Sequence, residues 1–117
     1  ADEIGMAAGP EQVWEALRSQ HREVRVAAVM RLAWLFQPVL EPPAVVDVSG
    51  DAQWAADTAH ILESWWTAQC EWVHVDASDQ RVRWSPAAGP DYRAANGLSL
   101  PAVDSRRGVP FTLGPSQ

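Results

Sequence analysis

Lysine is missing from this chain. All nine cationic residues are arginine, set against fifteen Asp and Glu, for a formal charge of −6 over 117 residues. Phosphate recognition needs a positive field, so this balance makes nucleic acid an unlikely partner, although a local arginine cluster on an acidic protein can still supply one. Arginine suits bidentate ion pairs and aromatic stacking better than lysine does, a property used at interfaces. Cysteine is nearly missing too. With Cys70 alone there is no intramolecular disulfide and no cysteine-based zinc site, and a reducing compartment fits. Cys70 ends an amphipathic pattern and is expected as a small buried hydrophobe. No apolar run reaches the ~18–20 residues of a membrane span. The stretch "ADEIGMAAGP" has neither the basic flank nor the apolar core of a secretory signal, so a soluble, cytoplasmic chain without a membrane partner is expected. Neither GxGxxG nor the phosphate-loop pattern occurs, so no cofactor or nucleotide site is expected.

Tryptophan is what the chain has in excess: seven, four of them between Asp57 and Trp84. A large aromatic is buried in a core, stacked on a ligand or pressed into a partner. At this length, with 47% hydrophobic residues, there is room for one domain and one core. Residues 1–9 are small and acidic and read as a loose lead. Pro10 and Glu11 suit a helix start, so "PEQVWEALRSQ" is predicted helical, with Val13, Trp14 and Leu17 as its apolar stripe. In "REVRVAAVMRLAWLF" only Arg25 and Arg31 are polar between Val24 and Phe36. A helix apolar nearly all round belongs in the middle of a core or between subunits. Pro38, Pro42 and Pro43 end it. The run "AVVDVS" reads as a short strand, and Ser49 or Asp51 can cap the next helix, about Asp51 to Gln69. Ala55, Ala59, Leu62 and Trp66 form its stripe, with Ala52, Ile61 and Trp65 alongside.

The clearest local signal is a hairpin, "EWVHVD", turn "ASDQ", "RVRW". A four-residue loop pairs Asp76 with Arg81, Val75 with Val82, His74 with Arg83 and Val73 with Trp84. Alternation then puts Val73, Val75, Val82 and Trp84 on a core face, and Trp72, His74, Asp76, Arg81 and Arg83 on the other. Asp76 and Arg81 are expected to form a cross-strand ion pair. The fold class is therefore α+β, in the order α-α-β-α-β-β, over residues 10–86. Residues 87–117 form an extended arm whose prolines and glycines forbid a long helix or central strand. An arm of that kind lies on its own domain or on another chain, with Leu98, Leu100, Val103, Val109, Phe111 and Leu113 as anchors.

Two stretches carry family likenesses. "EALRSQHREVRVAAVMRLAWL" resembles one HEAT repeat, whose EVRxAA run opens the second helix of a hairpin. Such arrays bury their faces on neighbouring repeats, and nothing after Pro38 continues the pattern. "ILESWWTAQCEWVHVDASDQRVRWSPAAG" is similar to the end of a winged-helix regulator of the MarR type. That resemblance implies a DNA-binding role, with Thr58 and Ser64 on a recognition helix and Arg81 and Arg83 on the wing. The corresponding helix here carries acids and no arginine, whereas such helices approach an anionic groove, and a proline-rich strand replaces the usual helix-turn before it.

Candidate chemistry is sparse. Asp57, His60 and Ser64 share a helix face and are the residue types of a hydrolytic triad. A serine nucleophile, however, works from an exposed turn beside oxyanion donors, and a polar face with local hydrogen bonds explains this one. Asp57 and His60 with Glu63, His74 or Asp76 make a loose nitrogen and oxygen donor set, but no metal-site spacing is present and no metal is expected. His74 beside Asp76 is a weak general-base pair. The leading expectation is a non-enzymatic interaction or assembly subunit of a virion or other multisubunit complex, bound to a protein partner or to itself. Its anchors would be Trp54, Trp65, Trp72, Arg81 and Arg83, with Leu100 and Phe111 on the arm. The alternatives are the winged-helix regulator, and a small enzyme or ligand-binding protein with a tryptophan-lined pocket and Asp57, His60, His74 and Asp76 as its polar groups.

Overall fold

Pro10 opens α1 (Pro10–Leu17), and Val13, Trp14 and Leu17 are buried on one side of it. This computed structural model describes residues 10–41, 44–103 and 108–111; the lead at 1–9 and Leu113 lie outside them. A short connection, in which the His21 amide donates to Ser19 Oγ at 3.0 Å, turns the chain back into α2 (Arg22–Leu35). Helix α2 buries Ala28, Val29, Leu32, Ala33 and Leu35 and leaves its other side open, so it is not wrapped on all sides as its composition predicts. A single 3₁₀ turn, Gln37–Val39, with Pro38 inside it, closes this part.

Strand β1 (Ala44–Asp47) leads to a tight turn at Gly50, whose φ is +85°. Asp51 then caps α3 (Ala52–Gln69), its carboxylate accepting from the Trp54 amide at 2.8 Å, one of the two predicted caps. Helix α3 buries Trp54, Ala55, Thr58, Ala59 and Leu62. Thr58 satisfies its hydroxyl by donating to the Trp54 carbonyl at 2.7 Å. After α3 come β2 (Val73–Val75) and β3 (Val82–Trp84), antiparallel in the predicted register: Val73 with Trp84, His74 with Arg83 and Val75 with Val82. Val73 and Val82 are buried, while Val75 and Trp84 pack at the edge of the core. The predicted α+β order is therefore the observed one.

The described residues after Ala87 pack back on the core. They include a short helix the sequence did not announce, α4 (Pro90–Asn96), with Pro90 at its first turn. Leu98 is fully buried; its amide donates to the Val39 carbonyl and its carbonyl accepts from the Glu41 amide, both at 2.9 Å. Strand β4 (Gly108–Phe111) pairs antiparallel with β1, setting Val109 opposite Val46 and Phe111 opposite Ala44. One core thus takes residues from α1, α2, α3, the hairpin and the arm.

Candidate protein-interaction face

An α-helix turns once in about 3.6 residues, so the side of α2 opposite its buried arc is centred on Ala27. That side carries Glu23, Val24, Ala27, Met30, Arg31 and Trp34, and all six are exposed. Val24, Met30 and Trp34 are 37%, 58% and 50% exposed and are the exposed large hydrophobic residues among those described. Scattered apolar residues on a surface need no explanation, but three on one helix face do. Beside them runs a shallow groove of about 340 Å³ between α1 and α2, lined by Val13, Ala16, Val24, Ala27 and Ala28, with Gln12, Glu23 and Arg31.

Trp34 is held in place. The Arg81 guanidinium carbon lies 3.9 Å from the centre of its ring, and Arg81 Nε donates to the Trp34 carbonyl at 3.0 Å. Arg81 Nη2 is buried without a hydrogen-bond acceptor, and the electron-rich ring face stands in for one. The predicted Asp76–Arg81 ion pair is consequently absent. Asp76 pairs with Arg83 instead, at 3.0 Å, and Asp79 also pairs with Arg83. Register alone placed Arg81 opposite Asp76; its side chain is long enough to reach α2, where stacking on Trp34 and a carbonyl acceptor hold it.

The carboxylates of the turn are tuned by these contacts. The Ser78 hydroxyl and amide both donate to Asp76 Oδ1, at 2.7 and 2.8 Å, and with Arg83 nearby they lower its pKa below the usual carboxylate value. The Arg81 amide, then Arg83, do the same for Asp79. Arg83 is raised in return, Asp79 being the main cause.

The sequence-derived anchors divide. Trp54 is 5% exposed and donates its indole N–H to the Pro101 carbonyl at 3.2 Å. It belongs to the core, because the arm covers the margin of α3 on which it sits. Trp65 is half-buried, donates to the Asn96 carbonyl at 2.8 Å and meets Phe36 and Trp84 edge-on. Trp72 lies 4.8 Å from Tyr92, which Trp84 meets edge-on and whose hydroxyl donates to Gln69. These aromatics clasp α4. Leu100 is partly buried against the core, and the side chain of Phe111 lies outside the described residues. Cys70 is exposed, not buried: it follows the last residue of α3 on the outer side, its thiol directed to the Thr67 carbonyl at 3.7 Å.

The polar candidates do not converge. Asp57, His60 and Ser64 are exposed on α3, with Asp57 accepting from Gln53 at 2.9 Å. His74 is exposed on β2. Among the described residues no three His, Cys, Asp or Glu side chains form a metal-ligand set. Two further grooves have no histidine in their lining: one of about 240 Å³ between Leu40, Glu41 and Val45 and residues 100–103, and one of about 370 Å³ between residues 38–41 and Arg93, Ala94 and Gly97. The open face of α3 shows Gln53, Asp57, His60 and Glu63, and Arg18 at its flank is paired to Glu63 at 2.9 Å. Arg83 is spent on the hairpin's own acids and Arg81 on Trp34. No helix among the described residues is long and apolar enough to cross a membrane.

Compared with known protein families, curated proteins and solved structures, the chain shows no match.

Met30 and Trp34 were not among the sequence-derived anchors. The signal that would have found them is in α2 itself: its apolar residues occupy two opposite arcs, and a single core can cover only one.

Proposed function

We propose that this chain is a non-enzymatic interaction module, a subunit of a larger assembly, that docks on protein through the outer face of α2. One observation carries the proposal: Val24, Met30 and Trp34 stand exposed on a single arc, and Arg81 holds Trp34 in position. Trp, Met and Arg are the residue types enriched where interfaces form, and an aromatic already fixed in one posture loses less entropy on binding than a free one. A reducing, cytoplasmic setting suits a chain whose lone thiol is exposed. The winged-helix alternative has the succession of α3 and hairpin in its favour and the charge of the α3 face against it.

A photo-reactive residue at Met30 tests the interaction reading, with the same residue at Ala56, exposed on α3, as the control. Protein adducts should form from position 30, weaken with Trp34→Ala, and be scarce from position 56. Equal labelling from both positions, or none from either, would sink it.

A further inference from the structure

The residues around Ala27 on α2 form a self-complementary pattern. Four positions before it is Glu23 and four after it is Arg31; three before is Val24 and three after is Met30. All lie on the exposed arc. Among the described residues of a single chain, neither the Glu23 nor the Arg31 side chain has a hydrogen bond or ion pair, whereas the side chains of Arg18, Arg22, Arg25, Arg81, Arg83 and Arg93 each have at least one.

We infer that the partner of this face is a second copy of the chain, with α2 packed antiparallel on the partner's α2 about a twofold axis beside Ala27. This rests on the interaction reading above and names its partner. A twofold axis perpendicular to the helix sends each position above Ala27 to the same height below it. Glu23 therefore comes level with the partner's Arg31, and Arg31 with the partner's Glu23, giving two ion pairs roughly 12 Å apart along the helix. Val24 and the partner's Met30 come level between them. Parallel packing would instead set Glu23 on Glu23 and Arg31 on Arg31. The chemistry of the face selects the antiparallel, isologous arrangement, in which one patch serves both partners.

Size supports the same geometry. Alanine at the axis lets two helices approach to the short end of the usual spacing, about 8 Å, and the groove between α1 and α2 receives the ridge of side chains the partner helix presents. Trp34, seven positions beyond Ala27, comes level with residue 20 of the other copy, in the connection between α1 and α2. There it closes the end of the interface, its ring already stacked on Arg81 in the single chain.

Sedimentation equilibrium of the full chain tests this, with helicity and melting followed to show that each variant folds. The wild type should be a dimer. Arg31→Glu and Glu23→Arg should each weaken dimerisation by about tenfold or more, because each sets like charges together twice. The double exchange, Glu23→Arg with Arg31→Glu, should return the constant to within a few-fold of wild type. A chain that stays monomeric, a dimer indifferent to the single reversals, or single losses that the double exchange does not recover would each overturn the inference. A monomer whose position 30 still gives adducts with other proteins overturns the inference alone and leaves the interaction face standing. A monomer giving no adducts overturns both.

Discussion

Gly50 is the residue on which the junction between β1 and α3 depends. Its φ of +85° is a backbone conformation that side chains rarely adopt. A methyl group there would also lie 2.7 Å from Arg22 Cγ and 2.9 Å from Val26 Cγ2. Arg22 can swing aside; the β-branched Val26 has little freedom. The close approach is maintained by Arg22 and Arg25, which donate to the carbonyls of Ser49 and Gly50, both at 2.8 Å. Gly50→Ala should therefore destabilise the fold by about 1–3 kcal/mol, adding backbone strain to a displaced arginine. Urea unfolding measures this, and a loss under about 0.5 kcal/mol, the range of a neutral surface change, would show that the turn relaxes freely. A glycine between Ser49 and Asp51 is visible in the sequence as a turn; that two arginines from α2 close over it is not, because nothing local links residues 25 and 27 positions apart.

At the scale of elements, the hairpin is a network of turn contacts as much as a pair of strands. Gln80 takes a left-handed conformation, φ 66°, as the four-residue loop closes, and Asp76, Ser78, Asp79 and Arg83 bond across it. Asp76 and Asp79 both titrate below their ordinary value of 3.8. A carboxylate whose pKa is depressed by folding adds stability above its unfolded pKa and loses it as pH falls through the folded one. Stability should thus fall off below about pH 4, and the replacement of both acids by asparagine should flatten that fall. Urea midpoints at about pH 6 and about pH 3 would decide it: identical slopes for wild type and variant would mean the turn network adds nothing. The pairing of this hairpin was legible because period-two alternation and loop length leave one register that keeps Val73 and Val82 inside. Its ion pair was misassigned because register fixes Cα positions, whereas a long arginine chooses among acceptors several ångströms apart. Helix α2 shows the complementary limit. With apolar residues on both arcs, its pattern marks a helix without saying which arc meets the core, and so does not single out Met30 and Trp34.

For the whole molecule, the tryptophan excess acquires a structural account. Trp14 and Trp54 are core; Trp66 packs partly buried against it; Trp65, Trp72 and Trp84 surround Tyr92 and the α4 segment; Trp34 stands outside. Two of the indoles, those of Trp54 and Trp65, donate to carbonyls of the arm, at Pro101 and Asn96. The proline- and glycine-rich segment thus borrows its order from aromatic side chains of the domain, and for that reason its local composition did not foretell it. Leu98 is where this dependence is greatest: fully buried, it joins the arm to the Val39–Glu41 backbone through two hydrogen bonds. Leu98→Ala should cost about 2–5 kcal/mol, the usual range for a large core side chain cut back to a methyl. Tryptophan fluorescence and helicity should change in one common transition, since six of the seven indoles lie in the core, against it or around the arm. An arm that is merely laid on a finished domain would behave otherwise. The variant would then melt at the wild-type midpoint by helicity, with only the fluorescence of the arm-contacting Trp54, Trp65, Trp72 and Trp84 changing beforehand, and residues 10–86 would have to be regarded as folding without it.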